Sequence, residues 1–237
     1  MKSIQIIGGN SDIAFATAKE FAKENYNIHL VSKNFENLKL KKNIIEQTYK
    51  VECKIDELDI ENDQDVDDFL NNNNQNSEIV LIAIGYLDSF NNEYAKIMNI
   101  NYNSLVKFIE KILNQKKLET IIGISSVSGD RGKKENNIYS SSKAAFTNYL
   151  DGLRQRLYKD NKYVITIKPG YVDTKMTKDL NLPSMLVSKP DKIAKIIYSS
   201  YKKKNSVVYA PAYWKYLMII YRNIPEFVFK LLEKRRG

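Results

Sequence analysis

The 237-residue chain has one cysteine, one histidine, five prolines and nine glycines, and each scarcity removes an explanation. With Cys53 alone no internal disulfide forms, and a reducing compartment is the simpler setting. His29 is the single histidine and sits in an apolar run, so it reads as structural, and no metal site is expected. Long apolar runs are missing as well. The opening MKSIQIIG is ended by glycine too early for the apolar core of a secretory leader, so it is taken as a first strand and the protein as cytoplasmic. No linker divides the chain, and its length suits one large core.

Acidic residues are the minority sign: 37 Lys and Arg against 28 Asp and Glu give +9. Such a balance fits nucleic acid, an anionic membrane surface, phosphorylated ligands or an ordinary solvated surface. Acids dominate between Glu52 and Asp68. Bases gather at Lys202 to Lys204 and at Lys230, Lys234, Arg235 and Arg236, which places the excess at one end. No nucleic-acid recognition motif accompanies it, so no nucleic-acid partner is expected. The NNNNQN tract at 71 to 76 reads as a loop or frayed helix end.

Seven short apolar runs bounded by polar segments read as buried strands: residues 4 to 8, 26 to 32, 49 to 56, 77 to 85, 119 to 126, 162 to 169 and 206 to 210. Helical periodicity fills the gaps, as in DIAFATAKEFAKE, where Ile13, Ala14, Ala16 and Phe21 share a stripe. The alternation predicts an α/β fold, a doubly wound parallel sheet of about seven strands with helices on both faces, over residues 1 to 210. A C-terminal amphipathic helical extension follows over 211 to 237. In such sheets the ligand crevice lies beyond the carboxyl ends of the strands, where Gly8, Gly85, Ser126 and Gly170 fall.

GGNSDIA after the first strand opens a helix, so Gly8, Asn10, Ser11, Asp12 and Ile13 form a turn able to receive a pyrophosphate on backbone N–H groups. After the second strand stands SKN, with no carboxylate for ribose hydroxyls. Ser32 and Lys33 suit a 2′-phosphate, favouring NADP(H) over NAD(H). In LDI, Asp59 with Ile60 either accepts from an adenine amino group or caps the next helix. Further on, YSSSK sets Tyr139 and Lys143 one helical turn apart. A phenol titrates near ~10, and an ammonium at i+4 favours its phenolate, making a proton-exchanging pair.

ISSVSG before that pair and KPGYVDT after it complete a pattern that resembles the short-chain dehydrogenase/reductase family, in its compact single-domain branch, over nearly the whole chain to about residue 210. IGGNSDIA keeps the family's first glycine at Gly8 and puts Asp12 and Ala14 where two others usually stand. IAIG keeps Ala83 and Gly85 of a further family turn and loses both asparagines. The resemblance implies hydride transfer between a nicotinamide and a ketone or secondary alcohol. Tyr139 is then the proton donor, Ser126 holds the substrate oxygen, and Lys143 bonds the nicotinamide ribose. Asn101, with Asn99 and Asn103 as competing choices, connects Lys143 to solvent through water. Pro169, Gly170, Val172 and Thr174 match the segment that grips the carboxamide. It also implies a small-molecule carbonyl substrate and a homodimer or homotetramer.

Residues 175 to 189 occupy the family's variable substrate lid, apolar through Met176, Leu182, Met185 and Leu186. The tail from Pro211, rich in aromatics and ending in bases, either lies in a membrane interface or packs on protein. It is similar to that of reductases acting on polyprenyl-phosphate-linked keto-sugars, which implies a lipid-linked substrate at the inner membrane face. The competing reading is a catalytically inactive nucleotide-binding scaffold or sensor of the same fold, motivated by Asp12 and the missing asparagines. An extended-branch epimerase or dehydratase would need a longer C-terminal domain.

Overall fold

The computed structural model describes residues 2–72, 77–88, 93–132 and 134–234. The tract at 73–76 and the basic Arg235 and Arg236 lie outside the described residues. Apolar and helical segments alternate as β1 (Ser3–Ile7), α1 (Asp12–Lys23), β2 (Asn27–Ser32), α2 (Phe35–Tyr49), β3 (Cys53–Glu57), α3 (Asp63–Asn72) and β4 (Ile79–Ile82). There follow α4 (Tyr94–Met98), α5 (Ser104–Ile112), β5 (Thr120–Ile124), α6 (Asn137–Leu157) and β6 (Tyr163–Pro169). The chain closes with β7 (Tyr171–Val172), β8 (Val187–Ser188), α7 (Pro190–Lys202), β9 (Val207–Ala210), α8 (Tyr213–Asn223) and α9 (Glu226–Lys234).

Seven strands form one sheet in the order β3-β2-β1-β4-β5-β6-β9, parallel at every pairing. Alternate side chains serve opposite faces. Ile4 and Ile6 pack with Phe21 of α1 and Ile193 of α7, whereas Ile7 joins Phe108 of α5 and Phe146 of α6. Each of those three phenylalanines is fully buried, and truncation of one to alanine costs about 3–5 kcal/mol. Strand order reverses between β1 and β4, which opens a crevice at their carboxyl ends.

Two details differ from the pattern in the sequence. Tyr49 belongs to α2, which Leu38 and Ile45 anchor to the core, and the chain turns at Lys50 with φ 58°, so β3 starts only at Cys53. In α1, Thr17 joins the buried stripe by donating its hydroxyl to the Ile13 carbonyl at 2.7 Å, while Ile13 is half-buried. His29 is buried in β2 between the Gln5 amide at 3.0 Å and the Asp56 carboxylate at 2.6 Å. The short pair β7 and β8 staples together the two ends of the lid.

Candidate active site

Gly8 ends β1 with φ +92°, and a Cβ there would stand 2.9 Å from the backbone carbonyl of Ala83. Only glycine lets the two strand ends approach this closely. Ser11 caps α1, its hydroxyl accepting from the Ala14 N–H at 3.3 Å. The first N–H groups of the helix therefore face the crevice without intrahelical partners. Asp12 turns its carboxylate away to accept from the lid N–H of Lys175 at 2.9 Å.

A cleft of about 400 Å³ runs along this turn and is lined by Gly8, Asn10, Ser11, Asp12, Ile13, Ser32, Lys33, Asp59, Ile60, Ala83, Gly85 and Thr174. A smaller one of about 100 Å³ adjoins it and brings together Ser126, Tyr139, Lys143, Pro169, Gly170, Val172 and Thr174. These residues fit an extended dinucleotide. At the larger cleft the buried carboxamide oxygen of Asn10 has no partner among the described residues.

At the far end of the larger cleft Lys33 and Asp59 pair with each other at 2.5 Å. Asp59 does not cap α3; Asn62 does, accepting from the N–H groups of Gln64 and Asp65 at 3.0 and 3.3 Å.

Around the smaller cleft, Ser125 fixes α6 to the end of β5 by donating to the Lys143 carbonyl at 3.0 Å, with Thr147 at 2.6 Å. Ser126 lines the cleft, its hydroxyl accepting from the Ser128 N–H at 3.0 Å. Lys143 is 2 % exposed and donates to the carbonyls of Ile84 and Ile124 at 3.4 and 3.3 Å. Its Nζ lies 5.9 Å from the Tyr139 ring centroid. The i+4 spacing of the pair favours the phenolate, and burial of the phenol acts against it. Burial pushes Tyr139 up to about 12 against an opposing hydrogen bond from Ser126, and burial alone brings Lys143 down to about 8.

Asn101 lies in neither cleft. It occupies a π-helical turn, Asn99–Asn103, where α4 meets α5, and is fully buried. Its amide accepts from Tyr86 N–H at 2.7 Å and donates to the Tyr86 carbonyl at 2.8 Å and Ser142 hydroxyl at 3.1 Å. Asn99 instead donates to Glu61 at 3.0 Å and Asn103 is exposed, which leaves Asn101 as the buried one of the three. A Cβ on Gly85 would contact both Lys143 Nζ and Asn101 Oδ1, at 3.3 and 3.8 Å.

The family model for short chain dehydrogenases matches residues 2–184. The chain belongs to the short-chain dehydrogenase family. It is thereby an oxidoreductase working with a nicotinamide dinucleotide. An uncharacterized oxidoreductase of Staphylococcus aureus is 26% identical over 204 residues, covering 81% of this chain and 87% of its own. The 3-oxoacyl-acyl-carrier-protein reductase of Chlamydia trachomatis is 26% identical over 216 residues, covering 82% and 87%. Among solved structures, a short-chain dehydrogenase of Sphingobium yanoikuyae in complex with NADPH superposes with a TM-score of 0.81 at 18% identity, covering 95% of this chain and 97% of that one. A bulky-bulky ketone specific alcohol dehydrogenase of Comamonas testosteroni does so at 0.77 and 18%, covering 100% and 93%.

Two residues of this short-chain dehydrogenase site belong to none of its motifs. Met176 of the lid lines both clefts, and only its apolar character in a variable segment was visible. Trp214 of α8 lies beneath Gly170, where an added Cβ would fall 1.8 Å from the indole nitrogen. Among the described residues no group of three or more His, Cys, Asp or Glu is placed to hold a metal ion.

Proposed function

We propose that the chain is an NADP(H)-dependent reductase of a ketone, of keto-sugar type and lipid-linked, working as a homo-oligomer at the inner face of a membrane. The observation that carries the reading is the meeting of Ser126, Tyr139 and Lys143 with the Pro169–Gly170 turn in one small cleft that opens onto a larger, dinucleotide-shaped one.

A dinucleotide held with its pyrophosphate along the Gly8 turn would supply a hydride from its nicotinamide to the carbonyl carbon, or take one from the alcohol. Ser126 donates its hydroxyl to the substrate oxygen and holds the carbonyl beside Tyr139. Tyr139 gives its proton to that oxygen as negative charge develops there. Lys143, fixed by the Ile84 and Ile124 carbonyls, supports the resulting phenolate with its charge and has one N–H left for a ribose hydroxyl. Asn101 holds the 86 backbone and the π-turn in place, next to Lys143, on the route by which a proton returns from solvent. Gly8, Asn10, Ser11, Asp12 and Ile13 receive the pyrophosphate. Ala83, Gly85, Pro169, Gly170, Val172 and Thr174 frame the nicotinamide end, and Asp59 and Ile60 the adenine.

Preference for NADP(H) is supported by Lys33, which lines the larger cleft beside Ser32 and stays exposed although its ammonium pairs with Asp59. The lipid-linked substrate is supported by α8. Trp214 and Met218 face the core, while Tyr213, Tyr216, Leu217 and Ile220 make an outward apolar stripe at helical spacing. Exposed Lys215, Arg222 and Lys230 accompany the stripe, matching an anionic lipid surface. Among the described residues no helix is long and apolar enough to cross a membrane. Family membership supports the homo-oligomer. Fluorescence titration with NADPH and NADH, followed by turnover on a panel of ketones, tests the reading. Tight NADPH binding with ketone-dependent oxidation is expected; binding of neither nucleotide sinks the reading, and binding without turnover favours the inactive nucleotide-binding scaffold.

A further inference from the structure

Four and five residues after Ser126 the chain is gripped from two sides, and the first grip leads to strand ends that belong to the cofactor cleft. The turn Val127–Asp130 is closed by Ser128 N–H on the Ser126 hydroxyl and by Gly129 N–H on the Ser126 carbonyl, at 3.0 and 3.2 Å. It rests on α6, since Gly129 lies against the backbone of Lys143 and Ala144. At its end the Asp130 side chain is 2 % exposed. One carboxylate oxygen accepts from Lys168 Nζ at 2.5 Å and the other from the Tyr209 hydroxyl at 2.7 Å. Lys168 and Tyr209 are register partners on β6 and β9, and Lys168 immediately precedes Pro169 and Gly170. The next residue, Arg131, donates to the Tyr221 and Ile224 carbonyls at 2.7 and 2.8 Å and lies 4.2 Å over the Phe229 ring.

We propose that Asp130 is a positioning residue: its carboxylate sets the distance between the turn carrying Ser126 and the turn of Pro169 and Gly170. The inference rests on Ser126 holding the carbonyl oxygen, as argued above. A buried ion pair adds little net stability, because desolvating both charges offsets their attraction. Placement is the contribution that such a pair makes well. The carbonyl is held by one of these turns and the nicotinamide end of the cofactor cleft is framed by the other, so their separation governs alignment for hydride transfer. A misplacement of about 1 Å between reacting groups lowers turnover by about a hundredfold. Arg131 braces the same turn from the C-terminal helices.

The test separates placement from stability. Asp130→Asn leaves the Lys168 ammonium buried without its counter-charge, so both melting temperature and turnover should fall. In Asp130→Asn/Lys168→Met the buried charge is gone at both ends and the tie to β6 is still broken. The double variant should recover the wild-type melting temperature and NADPH affinity while kcat stays about ten- to a hundredfold down. Recovery of kcat together with melting temperature overturns the proposal. Should the double variant fail to fold, Tyr209→Phe removes one of the two bonds and leaves the ion pair; a fall in kcat at unchanged NADPH affinity supports the proposal, and an unchanged kcat overturns it. A wild-type protein that turns over no ketone defeats the functional reading and this proposal together. Wild-type turnover with an active double variant defeats this proposal alone.

Discussion

Lys143 offers a test in which the electrostatics of the site can be weighed. Burial lowers its pKa from 10.5 to about 8, so the unfolded chain holds the proton more tightly than the fold does. Between about pH 8 and 10.5 the unfolded state binds more protons, and stability therefore rises with pH across that window. Below about pH 8 the fold carries the full cost of the buried ammonium, about 3 kcal/mol at ~1.4 kcal/mol for each tenfold change in proton affinity. Lys143→Met removes the charge and keeps most of the volume, but it deprives the Ile84 and Ile124 carbonyls of a donor. That loss, about 1–3 kcal/mol for each carbonyl, does not vary with pH, so the pH dependence isolates the charge. Measured by urea unfolding without cofactor, the stability of the variant relative to wild type should fall by about 2 kcal/mol between about pH 6.5 and about pH 9.5. A difference constant to within ~0.5 kcal/mol would show that the ammonium is not desolvated as the structure places it.

Gly170→Ala sets a Cβ 1.8 Å from the Trp214 indole, and overpacking of this kind costs about 1–3 kcal/mol; thermal melts should show the loss, and a wild-type melting temperature would contradict the packing. Lys33→Ala should weaken NADPH by about tenfold and leave NADH unchanged, as read by fluorescence titration; equal effects on both would remove the case for a 2′-phosphate site. Tyr216→Ser/Ile220→Ser alters side chains 68% and 67% exposed, so stability should change by less than about 1 kcal/mol. Flotation with vesicles containing anionic lipid should nevertheless drop, and undiminished flotation would count against the membrane face.

Much of the fold was legible because a parallel sheet covered on both faces must be built from short continuous apolar runs, and the runs around Ile6, Leu30, Leu81, Ile122 and Ile165 are of that kind. The third strand was misplaced at its start because Tyr49 and Val51 read equally well as strand or as the end of a helix. Only the left-handed turn at Lys50 separates them. Residues contributed by the motifs gather in the two clefts, apart from Asn101, which lies buried behind them. Pairings made by tertiary structure were not legible. Asp130 and Tyr209 are 79 residues apart, and Arg131 and Tyr221 are 90 apart. Nor does i,i+4 spacing reveal burial, which acts against the phenolate at Tyr139.

Transfer of deuterium from C4-labelled NADPH to a ketone, followed by mass spectrometry in the wild type and in Tyr139→Phe, bears most directly on the central claim. The wild type should deliver the label to the carbinol carbon, while Tyr139→Phe should bind NADPH as tightly and deliver at least about a hundredfold less. Label transfer by Tyr139→Phe at a rate near that of the wild type would contradict the account.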